Sequence, residues 1–86
     1  AVKFYTLAAE QENRSAQSNL GDMFSEGKGV LQDYVRAHMW LNISASGGLP
    51  HTRTKRDSIA EQMTPAQIAE AQKLARECVK RKYKGC

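Results

Sequence analysis

An 86-residue chain with 41% hydrophobic and 26% charged residues has room for one domain with a thin core, burying roughly 60–65% of the surface it exposes unfolded. Lys and Arg number 13 against 9 Asp and Glu, and the resulting +4 is gathered at Arg76, Lys80, Arg81, Lys82 and Lys84. That tail reads as a solvated helix end opposing its dipole rather than a nucleic-acid footprint, for which aromatics beyond Tyr83 and a binding motif are lacking. No run approaches the ~18 apolar residues of a membrane span and no leader-like segment stands at the start; since the chain opens at Ala1 without Met, an export signal or earlier domain before it stays compatible with the sequence.

Five helices are predicted. The first covers about residues 1 to 11, with Ala1, Phe4, Tyr5, Ala8 and Ala9 on one face. The second starts behind Asn13, a good N-cap, and runs to about Glu26 with Ala16, Leu20, Met23 and Phe24 in helical register. Gly21 in its middle costs about 1 kcal/mol relative to Ala, so its expected use is to let a neighbouring helix approach closely beside Leu20 and Phe24. Gly27 suits the left-handed position after a helix end, and Gly27-Lys28-Gly29-Val30-Leu31-Gln32 is a turn; no P-loop spacing follows it. Asp33 caps the third helix, whose apolar face is Tyr34, Ala37, Trp40, Leu41, Ser44 and Ala45, and Gly47-Gly48-Leu49-Pro50 ends it. The fourth, about 52 to 63, buries Ile59, Ala60 and Met63. Thr64-Pro65-Ala66-Gln67 combines an N-cap, a proline at the first helical position and a capping-box glutamine. The last helix then runs to about Lys82, with Ile68, Ala71, Ala75, Cys78 and Val79 inside and Glu70, Lys73, Arg76, Glu77 and Lys80 outside.

These helices repeat. Ala1-Val-Lys-Phe-Tyr-Thr-Leu-Ala-Ala aligns with Ala37-His-Met-Trp-Leu-Asn-Ile-Ser-Ala at an offset of 36, placing Phe4 on Trp40 and Leu7 on Ile43. A helical period in the mid-thirties is that of a helix–turn–helix solenoid. Matching Ile59-Ala60 to Leu20-Gly21 gives 39, as if the loop near Pro50 were longer. Residues 1–12 then form the second helix of a truncated repeat, 13–48 a complete repeat, and 49–86 a degenerate repeat with a terminal capping helix.

Cys78 and Cys86 lack zinc-knuckle spacing. Eight residues apart in a continuous helix, they lie ~12 Å apart along the axis, beyond the ~7 Å reach of a disulfide. Gly85 allows the tail to fold back and bring them together, and spacing alone leaves a bond and two free thiols equally open.

The run Leu7-Ala8-Ala9-Glu10-Gln11, Asn13, Ala16-Gln17, Asn19-Leu20-Gly21, Met23-Phe24, Gly27, Gly29-Val30, Gln32-Asp33-Tyr34, Ala37 and Trp40 resembles the consensus of Sel-one-like repeats, relatives of the tetratricopeptide repeat. The resemblance is close over residues 1 to 48. It departs at Glu12, where the family usually has Gly, and residues 52 to 63 keep only a trace of the motif. It implies an all-α, right-handed α/α solenoid of antiparallel helix pairs that scaffolds protein interactions, often in exported bacterial proteins. The ending from Cys78 to Cys86 is also similar to exported members, which implies a Cys78–Cys86 bridge and residence in the periplasm or outside the cell, a cytoplasmic location being the other reading.

No catalytic set is visible. His38 and His51 are the only imidazoles, and neither has a nucleophile and an orienting carboxylate beside it; no metal and no cofactor are expected. The function read here is therefore non-catalytic binding of a protein or peptide on the concave helical surface. With Leu20, Gly21 and Phe24 turned inward, Ser15, Ser18, Asp22, Ser25 and Glu26 face that concave side, and the offset of 39 adds Thr54, Asp57 and Glu61. Asp22 and Asp57 are its expected electrostatic anchors. Phe4, Leu20, Gly21, Phe24, Gly27, Gly29 and Trp40 are the structural set, and the Phe4–Leu7 face, open at the N-terminal end, suits a homodimer. Two other roles remain: a purely structural cap of a longer solenoid, and a hydrolase of penicillin-type ligands, implied by some cysteine-rich relatives.

Overall fold

The computed structural model describes residues 2–49 and 51–86. Its helices are α1 (Val2–Glu10), α2 (Arg14–Glu26), α3 (Tyr34–Ser46), α4 (Thr52–Ala60) and α5 (Pro65–Lys80), with no strand among the described residues. Short connections make neighbours antiparallel. α1 packs on α2 and α2 on α3, while α3 carries both α4 and α5, so the helix pairs stack as an α/α solenoid centred on α3. The expected place of Ala1 on the first helix face and the helix stop at Pro50 lie outside the described residues.

Local signals start the helices. Asn13 Oδ1 accepts from the Ala16 amide at 3.0 Å, and Asp33 Oδ1 from that of Arg36 at 3.1 Å. At α5, Thr64 Oγ1 accepts from the Gln67 amide at 3.2 Å while Gln67 Oε1 accepts from the Thr64 amide at 2.9 Å, a complete capping box. Gly27 ends α2 at φ +71°, its amide donating to Met23 O at 2.8 Å. At the end of α1, Glu12 stands where the resembled family has Gly and is itself left-handed, at φ +65°. The Asn13 amide closes that turn on Ala8 O at 3.1 Å.

The core forms two patches joined through α3. One gathers Ala9, Ala16, Leu20, Met39, Trp40, Ile43, Ala75, Cys78 and Tyr83; the other gathers Ala37, Leu41, Ile59, Met63 and Ala71. Because α3 is wrapped by neighbours, His38, Met39 and Ile43 are buried beyond its expected face. Gly21 meets its expectation: the helices approach so closely there that a Cβ would lie 2.6 Å from Leu41 Cγ.

Phe4 departs from the packing role expected of it, being 69% exposed where its repeat counterpart Trp40 is 2% exposed. Trp40 packs among Ala16 and Leu20 of α2 and Ala75 and Cys78 of α5, whereas Phe4 and Leu7 are exposed on α1. Val79 is likewise 48% exposed rather than on the inner stripe of α5. α4 ends at Ala60, yet the turn after it still buries Met63. α5 stops at Lys80 because Lys82 (φ +56°) and Tyr83 (φ +67°) turn left-handed, and the Tyr83 amide donates to Cys78 O at 2.8 Å. The tail so reversed brings Cys86 within 5.6 Å of Cys78, Cα to Cα, and the two are bonded.

Candidate partner-binding groove

α2 and α4 stand side by side on α3 and leave a groove between them. Asp22, Ser25 and Glu26 from one wall and Thr54, Lys55, Ser58 and Ile59 from the other, with His51 at the start of α4, enclose a hollow of about 540 Å³. It continues into a second, of about 360 Å³, edged by Ser15, Ser18, Asn19 and Leu49; His51 and Lys55 border both. The five concave-side residues expected on α2 thus all border the groove, although Ser18 is buried and Ser25 half-buried, its hydroxyl donating to Asp22 O at 2.9 Å.

From α4 only Thr54 joins them. Asp57 does not line the groove: it accepts from Arg56 Nε at 3.2 Å, and Arg56 Nη1 donates to Asn42 Oδ1 at 3.0 Å, on the α3 side. Glu61 is the exposed C-cap of α4 and also lies outside the groove lining. The offset of 39 carried the register of α2 onto α4, but α4 is oriented by its own buried residues Thr52 and Ile59, with Thr52 Oγ1 donating to Leu49 O at 2.8 Å. Reading that stripe alone places His51, Thr54, Lys55 and Ser58 on the groove flank.

The missed Lys55 changes the electrostatics. Its Nζ meets Asp22 Oδ2 at 2.9 Å across the groove, both side chains being about half-exposed. Glu26 is met by Lys28 Nζ at 2.9 Å, and the hydrogen bond and negative charge of Glu26 raise the Lys28 pKa above its ordinary value. The groove is a polar channel whose acids are engaged, less acidic than its α2 wall alone suggests.

Arg14 was also missed. It lies with its guanidinium carbon 5.4 Å from the Tyr83 ring centroid, donates from Nη1 to Gln17 Oε1 at 3.2 Å, and its carbonyl accepts from Ser44 Oγ at 2.9 Å. It ties α2, α3 and the bonded tail together behind the groove. Among the described residues there is no group of three or more His, Cys, Asp or Glu side chains placed to hold a metal ion, and no free cysteine. No helix among the described residues is long and apolar enough to cross a membrane.

The Sel1 repeat profile matches residues 1–13 and 14–49. The chain belongs to the Sel1 repeat family. A similar Sel1 repeat relative is the alginate biosynthesis protein AlgK of Pseudomonas syringae pv. tomato, 33% identical over 74 residues, which make up 86% of this chain and 16% of that protein. The chain thus spans about one sixth of the length of the curated relative it matches. No solved structure matches it. Within the Sel1 frame, α2 and α3 are the helix pair of the repeat matched over 14–49, and the groove runs along the first helix of that pair.

Proposed function

We propose that this Sel1 repeat segment is a non-catalytic interaction module that holds an extended polar stretch of a protein partner in the groove between α2 and α4. The observation that carries the reading is the Lys55–Asp22 pair spanning the groove. Such a half-exposed pair contributes little to stability, about 0–1 kcal/mol. A partner that supplies a cation to Asp22 and an acceptor to Lys55 exchanges one set of contacts for another at small cost. The hydroxyls of Ser15, Thr54 and Ser58, with the Asn19 amide, offer further hydrogen bonds along the channel. The Cys78–Cys86 bond and the bacterial relative support residence in an oxidising, exported compartment.

A photo-crosslinking residue placed at Ser25 or Thr54 of the full-length protein in the source cell tests the groove against one placed at the exposed Gln11, after α1. Adducts of one discrete mass from the groove positions, absent at Gln11, are expected. Adducts from Gln11 alone, or equally from all three positions, overturn the reading.

A further inference from the structure

The ion pairs among the described residues are Lys28–Glu26, Arg36–Asp33, Lys55–Asp22 and Arg56–Asp57, none using a cation beyond residue 56. From residue 70 onward the chain carries Lys73, Arg76, Lys80, Arg81, Lys82 and Lys84 against Glu70 and Glu77, so this stretch accounts for the whole net charge of +4. All six cations are exposed. Before residue 70 seven cations balance seven acids, so the excess positive charge lies on α5 and its tail.

Two of these cations edge a concave apolar feature. Between the C-terminal halves of α3 and α5 lies a hollow of about 420 Å³. The exposed Val79 supplies apolar surface to it, with the buried Ile43 and Ala75 beneath; Arg76 and Lys80 stand on the α5 side, and Asn42 and Ser46 on the α3 side. It is on a different face from the α2–α4 groove and shares no lining residue with it.

We propose that this hollow docks an acidic amphipathic segment of a partner protein, an apolar side chain seated against Val79 and the aliphatic stems of Arg76 and Lys80 and carboxylates meeting the charged ends of Arg76 and Lys80. Charge complementarity selects the acidic partner. Concavity selects a protein segment: a bilayer surface or a regular polyanion reaches the cations on the rim but does not seat a side chain on the apolar floor. Nucleic acid is disfavoured because Tyr83, the aromatic of the basic tail, is buried beneath Arg14 instead of offering its face to a base. Arg76 and Lys80 sit one helical turn apart, so they meet carboxylates spaced i, i+4 on a helix laid along α5.

The test uses the oxidised chain and a fluorescein-labelled helical peptide carrying Leu flanked by Glu at i, i+4, read by anisotropy. Saturable binding is expected, weakened about tenfold or more by R76E/K80E in the protein or by Leu→Ser in the peptide. Val79→Asp weakens it too, while Asp22→Asn in the groove leaves it unchanged, so this proposal and the groove reading fail separately. Helical content by circular dichroism confirms that the variants are folded; the milder R76Q/K80Q pair serves if the reversal is not. The proposal is overturned if the amphipathic peptide does not bind or binds R76E/K80E equally well. It is equally overturned if a leucine-free polyglutamate, phosphatidylglycerol vesicles or oligothymidine bind as tightly as the peptide does.

Discussion

Gly21 and Leu41 mark a close approach of α2 and α3: a Cβ on Gly21 would fall 2.6 Å from Leu41 Cγ and 3.2 Å from the Ala37 carbonyl oxygen. Helix propensity alone favours alanine over glycine by about 1 kcal/mol. Here overpacking, which costs typically 1–3 kcal/mol, outweighs it, because the Ala37 oxygen is backbone and cannot swing aside as Leu41 can. Gly21→Ala is expected to lower unfolding stability by about 1 kcal/mol in urea titrations. An increase sinks this account of the glycine.

Glu12 shows the opposite case. At φ +65° it holds the left-handed turn between α1 and α2 with a side chain attached, a conformation that costs roughly 1–2 kcal/mol for a non-glycine residue. Glycine removes that cost and adds some unfolded-state entropy, so Glu12→Gly is expected to stabilise the chain by about 0.5–1 kcal/mol. A raised urea midpoint at constant m-value is the signature.

Residues whose local chemistry decides alone were legible: the caps Asn13, Asp33 and Thr64, the left-handed Gly27 and the close approach at Gly21. The α2 wall of the groove was legible too, since one apolar stripe on a 3.6-residue period determines what lies opposite. What escaped depends on several neighbours at once. α3 is covered on more than one side, so a one-face reading left out His38, Met39 and Ile43. The end of α5 turns at Lys82 and Tyr83, residue types that do not announce a left-handed conformation. The α4 wall was misplaced because its register came from a repeat offset, while the actual rotation follows Thr52 and Ile59 in the core.

Repeat-equivalent aromatics should differ sharply in energetic weight. Trp40 is 2% exposed among Leu20, Ile43, Ala75 and Tyr83, and Phe4 is 69% exposed. Trp40→Ala is expected to cost about 3–5 kcal/mol, enough to unfold much of so small a domain. Phe4→Ala should stay within about 0.5 kcal/mol, the usual range for surface changes. Thermal melts of the two variants side by side check this, and comparable losses would mean that Phe4 is covered in solution.

The Cys78–Cys86 bond closes a short loop, with a sequence separation of 8, and holds Tyr83 beneath Arg14. By the loop-entropy account such a link contributes about 2–3 kcal/mol. In a domain of this size that corresponds to a melting shift of about 10–20 °C. C78S/C86S, or the wild type in reductant, is expected to melt lower by that amount. Tyr83→Ala should lose part of the same stability with the bond intact, because its ring fills the core patch with Ala75 and Trp40. A melting point indifferent to reductant would place the tail outside the cooperative unit.

His38 supplies the pH dependence. It is 3% exposed on α3, and its buried Nδ1 has no hydrogen-bond partner among the described residues. Burial lowers its pKa below 6.5, the positive charge of Arg56 lowers it further, and Asp57 opposes with a smaller upward effect. The unfolded chain therefore takes up this proton more readily than the folded one. Stability from the neutral imidazole is fully present above the unfolded value near 6.5 and is lost as pH falls through it toward the lower folded value. Urea midpoints should be flat, as far as this group is concerned, between about pH 7 and 8, then decline as pH falls below about 6.5, starting ahead of most carboxylate titration. His38→Gln is expected to be less stable at neutral pH, having altered a packed site, but to show a shallower decline over the acidic interval. The comparison of slopes isolates the proton from the packing, and a variant that declines as steeply as the wild type would remove His38 as the source.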